Sequence, residues 1–322
     1  MRAEDDDSQP AAGSSDATVG QMLRRLHQRQ SRVLDLGQIY GLTRPQFSVL
    51  GAVVGVPGVD QRGVTTATFV DKSTVADIVT RLAEKQLLVV SRNPDDLRRD
   101  ELRPTPAAIA LVYESAPLIL EGNERVLSPI PLAQREEFLQ LLRATAHAGR
   151  TEVPKDYVNP SPDGVRPPIN VHWGLGRLLR GSLQRHGRLW SRHVPAVTHV
   201  QWLALSALLG GTDIDQRTLG ELISLDKASL TDMLDRLARR RLVRKLRDPA
   251  DGRRRVLRVT EEGRDLLDRV APLVREVDAD YLEPLGPEQR SRFVRGLRRL
   301  VEADADDGGA PAGAPTLVGG VS

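Results

Sequence analysis

The stretch "RDPADGRRRVLRVTEEG", Arg247–Gly263, places three successive arginines behind an Asp-Gly pair, then alternates apolar and basic residues, then turns acidic. Alternating residues on either side of "PADGRR" predict two short strands joined by a turn. The Thr-Glu-Glu that follows predicts a helix start, with carboxylates at its positive end. An earlier stretch, "RNPDDLRRDELRPTPAA", Arg92–Ala108, has the same layout and fewer positive charges.

The likeness extends outward. At an offset of 155 positions Thr43 meets Thr198 and "VDQR" from Val59 meets "IDQR" from Ile214. "DKSTVADIVTRLAEKQL" from Asp71 meets "DKASLTDMLDRLARRRL" from Asp226, and no gap is needed through Thr105 and Thr260. Matches this dense over so short a window make the chain two copies of one domain. We place the first copy at 19–147 and the second at 169–305. Between them, 148–168 is rich in Pro, Gly, Ser and Asp and reads as a linker. The acidic 1–18 and the Gly/Ala/Pro-rich 306–322 are expected to be disordered.

Composition agrees with two domains: 322 residues, 40% apolar, with aromatics at only 3%, so the cores must be built mostly from Leu, Val and Ala. Cysteine is absent, which excludes disulfides, thiolate metal sites and cysteine redox sensing by this chain. No apolar run reaches a membrane span and the acidic N-terminus is unlike a signal peptide, so a cytoplasmic protein is expected. The formal net charge is +3, but the basic residues are mostly arginine, whose planar fork suits phosphates and base edges. The six histidines lack ligand spacing such as H-x-x-x-H. No G-x-S-x-G, Walker loop or dinucleotide motif is present. We therefore expect no enzyme activity, no metal and no cofactor.

Each copy reads as helix, helix, short helix, helix, hairpin, helix, helix. Thr198, Asp226 and Thr260 are candidate N-caps, and Leu230, Met233, Leu234 and Leu237 share one helix face. The middle of that order is a helix-turn-helix followed by a two-stranded wing. A helix N-terminus can enter the major groove while a basic hairpin tip reaches phosphates or the minor groove.

The recognition-helix segment "SLTDMLDRLARRRLV", the wing "DPADGRRRVLRVT" and the following "TEEG" resemble the MarR family of transcriptional regulators. The first copy resembles it more loosely through "STVADIVTRLAEKQLLV", "NPDDLRRDELRPT" and "TPAA". The resemblance implies a mainly α fold with small β wings: two winged helix-turn-helix domains and a helical dimerisation region. It implies binding to pseudo-palindromic double-stranded DNA and, commonly, release by a small-molecule effector. The family normally pairs two chains of one domain each. Two copies in one chain imply an intrachain pseudo-dimer. A further departure is the aspartate, Asp77 and Asp232, where the family often has arginine; it either accepts from a base edge or sits on a solvated face beside an arginine.

The copies differ in charge. From Asp226 to Thr260, twelve basic residues stand against five acidic ones, giving +7; from Asp71 to Thr105 the count is seven against seven. Phosphate neutralisation supplies much of DNA affinity, so the second copy is expected to bind more strongly and the operator to be asymmetric. Arg253, Arg254, Arg255 and Arg258 are assigned to the second wing's DNA contacts. Lys227, Ser229 and Thr231 are assigned to the major groove. Thr218 is either a phosphate ligand or a plain cap. In the first copy Arg98 and Arg99 on the wing and Lys72, Ser73 and Thr74 at the helix start are the corresponding candidates. His172, Trp173 and Trp202 either line an effector pocket or simply pack. The competing reading is a ligand-sensing or protein-interaction module in which only the second copy binds DNA.

Overall fold

A computed structural model describes residues 17–34, 41–92, 100–149, 174–209, 214–223, 225–247 and 255–304. The first copy contributes α1 (Val19–Val33), α2 (Arg44–Gly55), α3 (Gln61–Thr68), α4 (Lys72–Glu84), β1 (Leu88–Arg92), β2 (Asp100–Pro104), α5 (Pro106–Leu127) and α6 (Leu132–His147). The second contributes α7 (Gly174–His193), α8 (His199–Leu209), β3 (Ile214–Asp215), α9 (Gln216–Ile223), α10 (Lys227–Arg239), β4 (Val243–Arg247), β5 (Arg255–Val259), α11 (Glu261–Leu282) and α12 (Pro287–Asp304). The 155-residue offset carries each first-copy helix onto a second-copy helix and β1–β2 onto β4–β5. The left-handed residues Gln86 and Arg241, just past the two recognition helices, coincide as well. Sequence reasoning did not anticipate β3, which pairs Ile214 with Leu257. Its counterpart in the first copy is the single bridge Val59–Leu102.

Helix starts follow their caps. Thr43 forms a capping box with Gln46, and its counterpart Thr198 accepts from Gln201 N at 3.2 Å. Thr105 and Thr260 accept from Ala108 N and Gly263 N, at 3.2 and 3.1 Å. A side chain at Gly263 would collide with the carbonyl of Leu242, which explains glycine there.

The chain forms two compact units. One is Val194–Arg275, the second winged domain. Its buried residues include Leu203, Leu205, Leu219, Leu230, Leu234, Leu237, Val256 and Leu267. The other unit joins the described residues of Val19–His193 to the chain from Glu276 to the end of α12. It holds the first winged domain, with Leu50, Val53, Val64, Val75, Leu82, Leu102 and Val112 in its core. It also holds a helical base of α1, α5, α6, α7, α12 and the end of α11. Met22, Leu23, Leu142, Leu179, Tyr281, Phe293 and Leu297 are buried there.

The first winged domain is fastened to this base at the end of α3. Helices end with unpaired carbonyls, and here α7 supplies the donors. Arg177 donates to Ala67 O at 3.3 Å, Arg180 to Thr68 O at 2.7 Å and Gln184 to Phe69 O at 2.8 Å. Phe69 closes α3 in the left-handed region, φ 55°. Its buried ring lies over Gly181 of α7 and 5.1 Å from the His147 ring.

Candidate nucleic-acid interface

Each of the two units carries one helix start and one hairpin that are candidates for DNA contact. At the start of α4, Asp71 accepts from Thr74 N at 2.9 Å and from the hydroxyls of Ser73 and Thr74, both at 2.7 Å. Those bonds, the Thr74 hydroxyl's first, hold its carboxyl far below the usual carboxylate range. Ser73 and Thr74 are therefore engaged with their own cap. At the start of α10, Asp226 accepts from Ser229 N at 3.0 Å. It is also held low, first by the Ser229 side chain. Lys72 and Lys227 are exposed at the two starts.

Thr231 donates to Lys227 O and accepts from Gln216 Nε2, each at 2.7 Å. The second bond ties α9 to α10; the first copy has Ala76 at the position of Thr231. Thr218 is not the cap of α9. That role belongs to Asp215, which accepts the Thr218 amide at 2.8 Å. Asp232 is ion-paired to Arg236 one turn on, the solvated-face reading of that aspartate. Asp235 bonds Lys245 of β4 at 2.7 Å and so joins the recognition helix to the wing.

The two wings differ. In the second, Arg244 and Arg258 stand directly opposite each other in the β4–β5 register, and both are exposed. Two arginines on one face of the ladder concentrate positive charge there. Arg255 lies opposite Arg247 in the same register. In the first wing the matching positions are Val89 and Arg103, and Arg103 is paired to Glu101 at 2.8 Å. Val89 and Val90, 51% and 43% exposed, occupy the places of Arg244 and Lys245. Arg253, Arg254, Arg98, Arg99, His172 and Trp173 lie outside the described residues. Trp202 stacks on His199, centroids 6.0 Å apart.

A second charged cluster lies within the unit that holds the helical base. His27 of α1 is pushed down to about 4, by burial first and then by Arg180, Arg44 and Arg24. Burial lowers Arg24 and Arg180 too. Arg44, at the start of α2, donates to the carbonyls of Gln30, Ser31 and Leu34. Three arginines act on one half-buried imidazole and give this locus a positive potential.

The family profile "MarR family" matches residues 40–99 and 197–254. The transcriptional regulator HosA of Escherichia coli O111:H- is 34% identical over 125 residues, covering 39% of this chain and 93% of HosA. The chain belongs to the MarR family. The HTH-type transcriptional repressor NicR of Pseudomonas putida is 29% identical and covers 44% of this chain and 90% of its own length. Among solved structures, the PcaV transcriptional regulator of Streptomyces coelicolor with its natural ligand is 34% identical. It covers 42% of this chain and 96% of PcaV, with a TM-score of 0.38. Each relative thus spans about one copy of this two-copy MarR chain. These relatives are regulators rather than enzymes. Among the described residues, no helix is long and apolar enough to cross a membrane and no group of side chains is arranged for a metal.

Sequence reading missed Gln216, Arg244 and the His27 cluster. The repeated "DQR" marked Gln216, and strand alternation put Arg244 and Arg258 on one face. The cluster left no sequence signal, since its members come from three separate helices.

Proposed function

We propose that this MarR-family chain is a cytoplasmic repressor that works as a pseudo-dimer within one polypeptide. It reads a pseudo-palindromic DNA site with two unequal halves. The recognition helices α4 and α10 enter the major groove from their capped starts. Lys227, Ser229 and, on the half-buried side, Thr231 face the bases in the stronger half; Lys72 leads in the weaker one. The second wing, through Arg253, Arg254, Arg255 and Arg258, reaches the phosphates or minor groove. The observation that carries this reading is two exposed arginines, Arg244 and Arg258, directly opposite each other on the second wing, where the first wing has Val89 opposite Arg103. The effector, on this reading, is an organic anion drawn to Arg24, His27, Arg44 and Arg180.

The test is fluorescence anisotropy with DNA from upstream of the protein's own reading frame, at several salt concentrations, beside Arg253→Ala/Arg254→Ala. Tight, salt-sensitive binding lost in the variant supports the proposal. Binding that is absent, or unchanged in the variant, removes the second wing as the reader. The neutral first wing with its exposed valines favours a second reading, in which the first copy leaves DNA alone. Arg98→Ala/Arg99→Ala with unchanged affinity would select it.

A further inference from the structure

Residues at equivalent positions of the two copies meet in the helical base, and they are chemically opposite. Glu137 of α6 and Arg292 of α12 are 155 apart in sequence and bonded at 2.7 Å. Beside them Phe138 and Phe293, also equivalent, stack with centroids 5.6 Å apart. If a first copy met another first copy in this way, Glu137 would face Glu137. Two second copies would bring Arg292 against Arg292.

The larger packing pairs follow the same rule. Phe69 of the first copy lies on Gly181 of the second, where a Cβ would stand 2.5 Å from its ring. By the 155-residue offset the equivalent positions hold Ser224 and Leu26, so the sequence exchanges large for small at both. His186 of the second copy lies on Gly20 of the first so closely that a Cβ there would collide with the imidazole. The reciprocal positions hold Ser31 and Leu175. Two first copies would set Phe69 against Leu26 and leave a void between Ser31 and Gly20. Two second copies would set His186 against Leu175 and bring no large side chain onto Gly181, because serine stands in the second copy where the first has Phe69. Overpacking and voids both cost stability.

We infer that the interface between the copies is directional: it accepts a first copy against a second and rejects either copy against its own kind. Specificity is a difference between pairings, and opposite charge with reversed size sets that difference at three places. The weak and strong reading domains are thereby always paired with each other, so symmetric assemblies with two strong or two weak readers do not form. The inference rests on unlike copies meeting and holds whether they belong to one chain or two.

The chain lacks cysteine, so introduced thiols report cleanly. Glu137→Cys, Arg292→Cys and the double variant of the full chain are treated with a short bismaleimide at low concentration. Both positions are partly exposed, so folding is retained. The expected result is no covalent dimer from either single variant and efficient cross-linking of the double variant inside one chain. Covalent dimers as the main product of a single variant would overturn the inference. So would a double variant that does not cross-link. Chain-to-chain products from the double variant, with uncoupled singles, would uphold directional pairing and sink the within-chain pseudo-dimer.

Discussion

Phe69 sits against Gly181 with no room for a methyl group: a Cβ on the glycine would lie 2.5 Å from the ring. The ring cannot easily move aside, because it is 2% exposed and its backbone is held left-handed at the end of α3. That contact sets two effects of opposite sign against each other. On helix propensity, Gly181→Ala stabilises by about 1 kcal/mol. Overpacking costs about 1–3 kcal/mol. The contact should win, so Gly181→Ala lowers the urea midpoint, and Phe69→Leu in that background recovers part of the loss. A higher midpoint for Gly181→Ala would show that the ring yields freely.

Arg180 should matter more to α3 than its distance in sequence suggests. Arg180→Met keeps most of the stem and removes the donor to Thr68 O. Leaving a buried carbonyl short of its partner costs about 1–3 kcal/mol. Hydrogen exchange should accelerate at the end of α3 and at Val70, with α10 as the unaffected reference. Equal rates in the variant and the parent would mean that the bond holds nothing.

His27 makes the protein acid-sensitive. Its folded value, about 4 against an ordinary 6.5, means that the unfolded chain binds the proton more readily. The stabilisation is therefore full above 6.5 and is lost as pH falls toward 4, amounting to about 3 kcal/mol at most. His27→Gln removes a titrating group, so its stability should fall less than the parent's between pH 6.5 and 4.5. Parallel pH profiles would refute the assignment. Asp278 works in the other direction. Burial raises it to about 6 against the bonds from Val19 and Gly20, so its own contribution is lost as pH rises through 6.

Arg258 is exposed on β5, facing Arg244. As a phosphate contact, it should weaken binding to all DNA sequences alike when changed to Ala and flatten the log Kd against log salt slope by about 1. A loss confined to one base position would make it a base reader instead.

Much of the architecture was legible. Local capping chemistry at Thr198, Asp226 and Thr260 places the helix starts, and strand alternation across "PADGRR" places the second wing. The ion pair of Asp232 with Arg236 follows from their i,i+4 spacing. Thr218 was less legible, because a threonine near a helix start and an aspartate three residues earlier compete for one role. The aspartate reaches the amide.

The sequence by itself determined the duplication, the order of elements in each copy and the charge difference between them, because these depend on residues close together in the chain or on comparing two registers. Only the tertiary structure decided which side chains of one copy meet the other. The Arg177–Arg180–Gln184 row on the carbonyls at the end of α3, the half-buried His27 under the influence of Arg44 and Arg180, and Glu137 against Arg292 each join residues far apart in sequence. Side chain-to-carbonyl bonds and size-matched contacts carry no periodicity; they arise when helices pack and bring unlike surfaces into register.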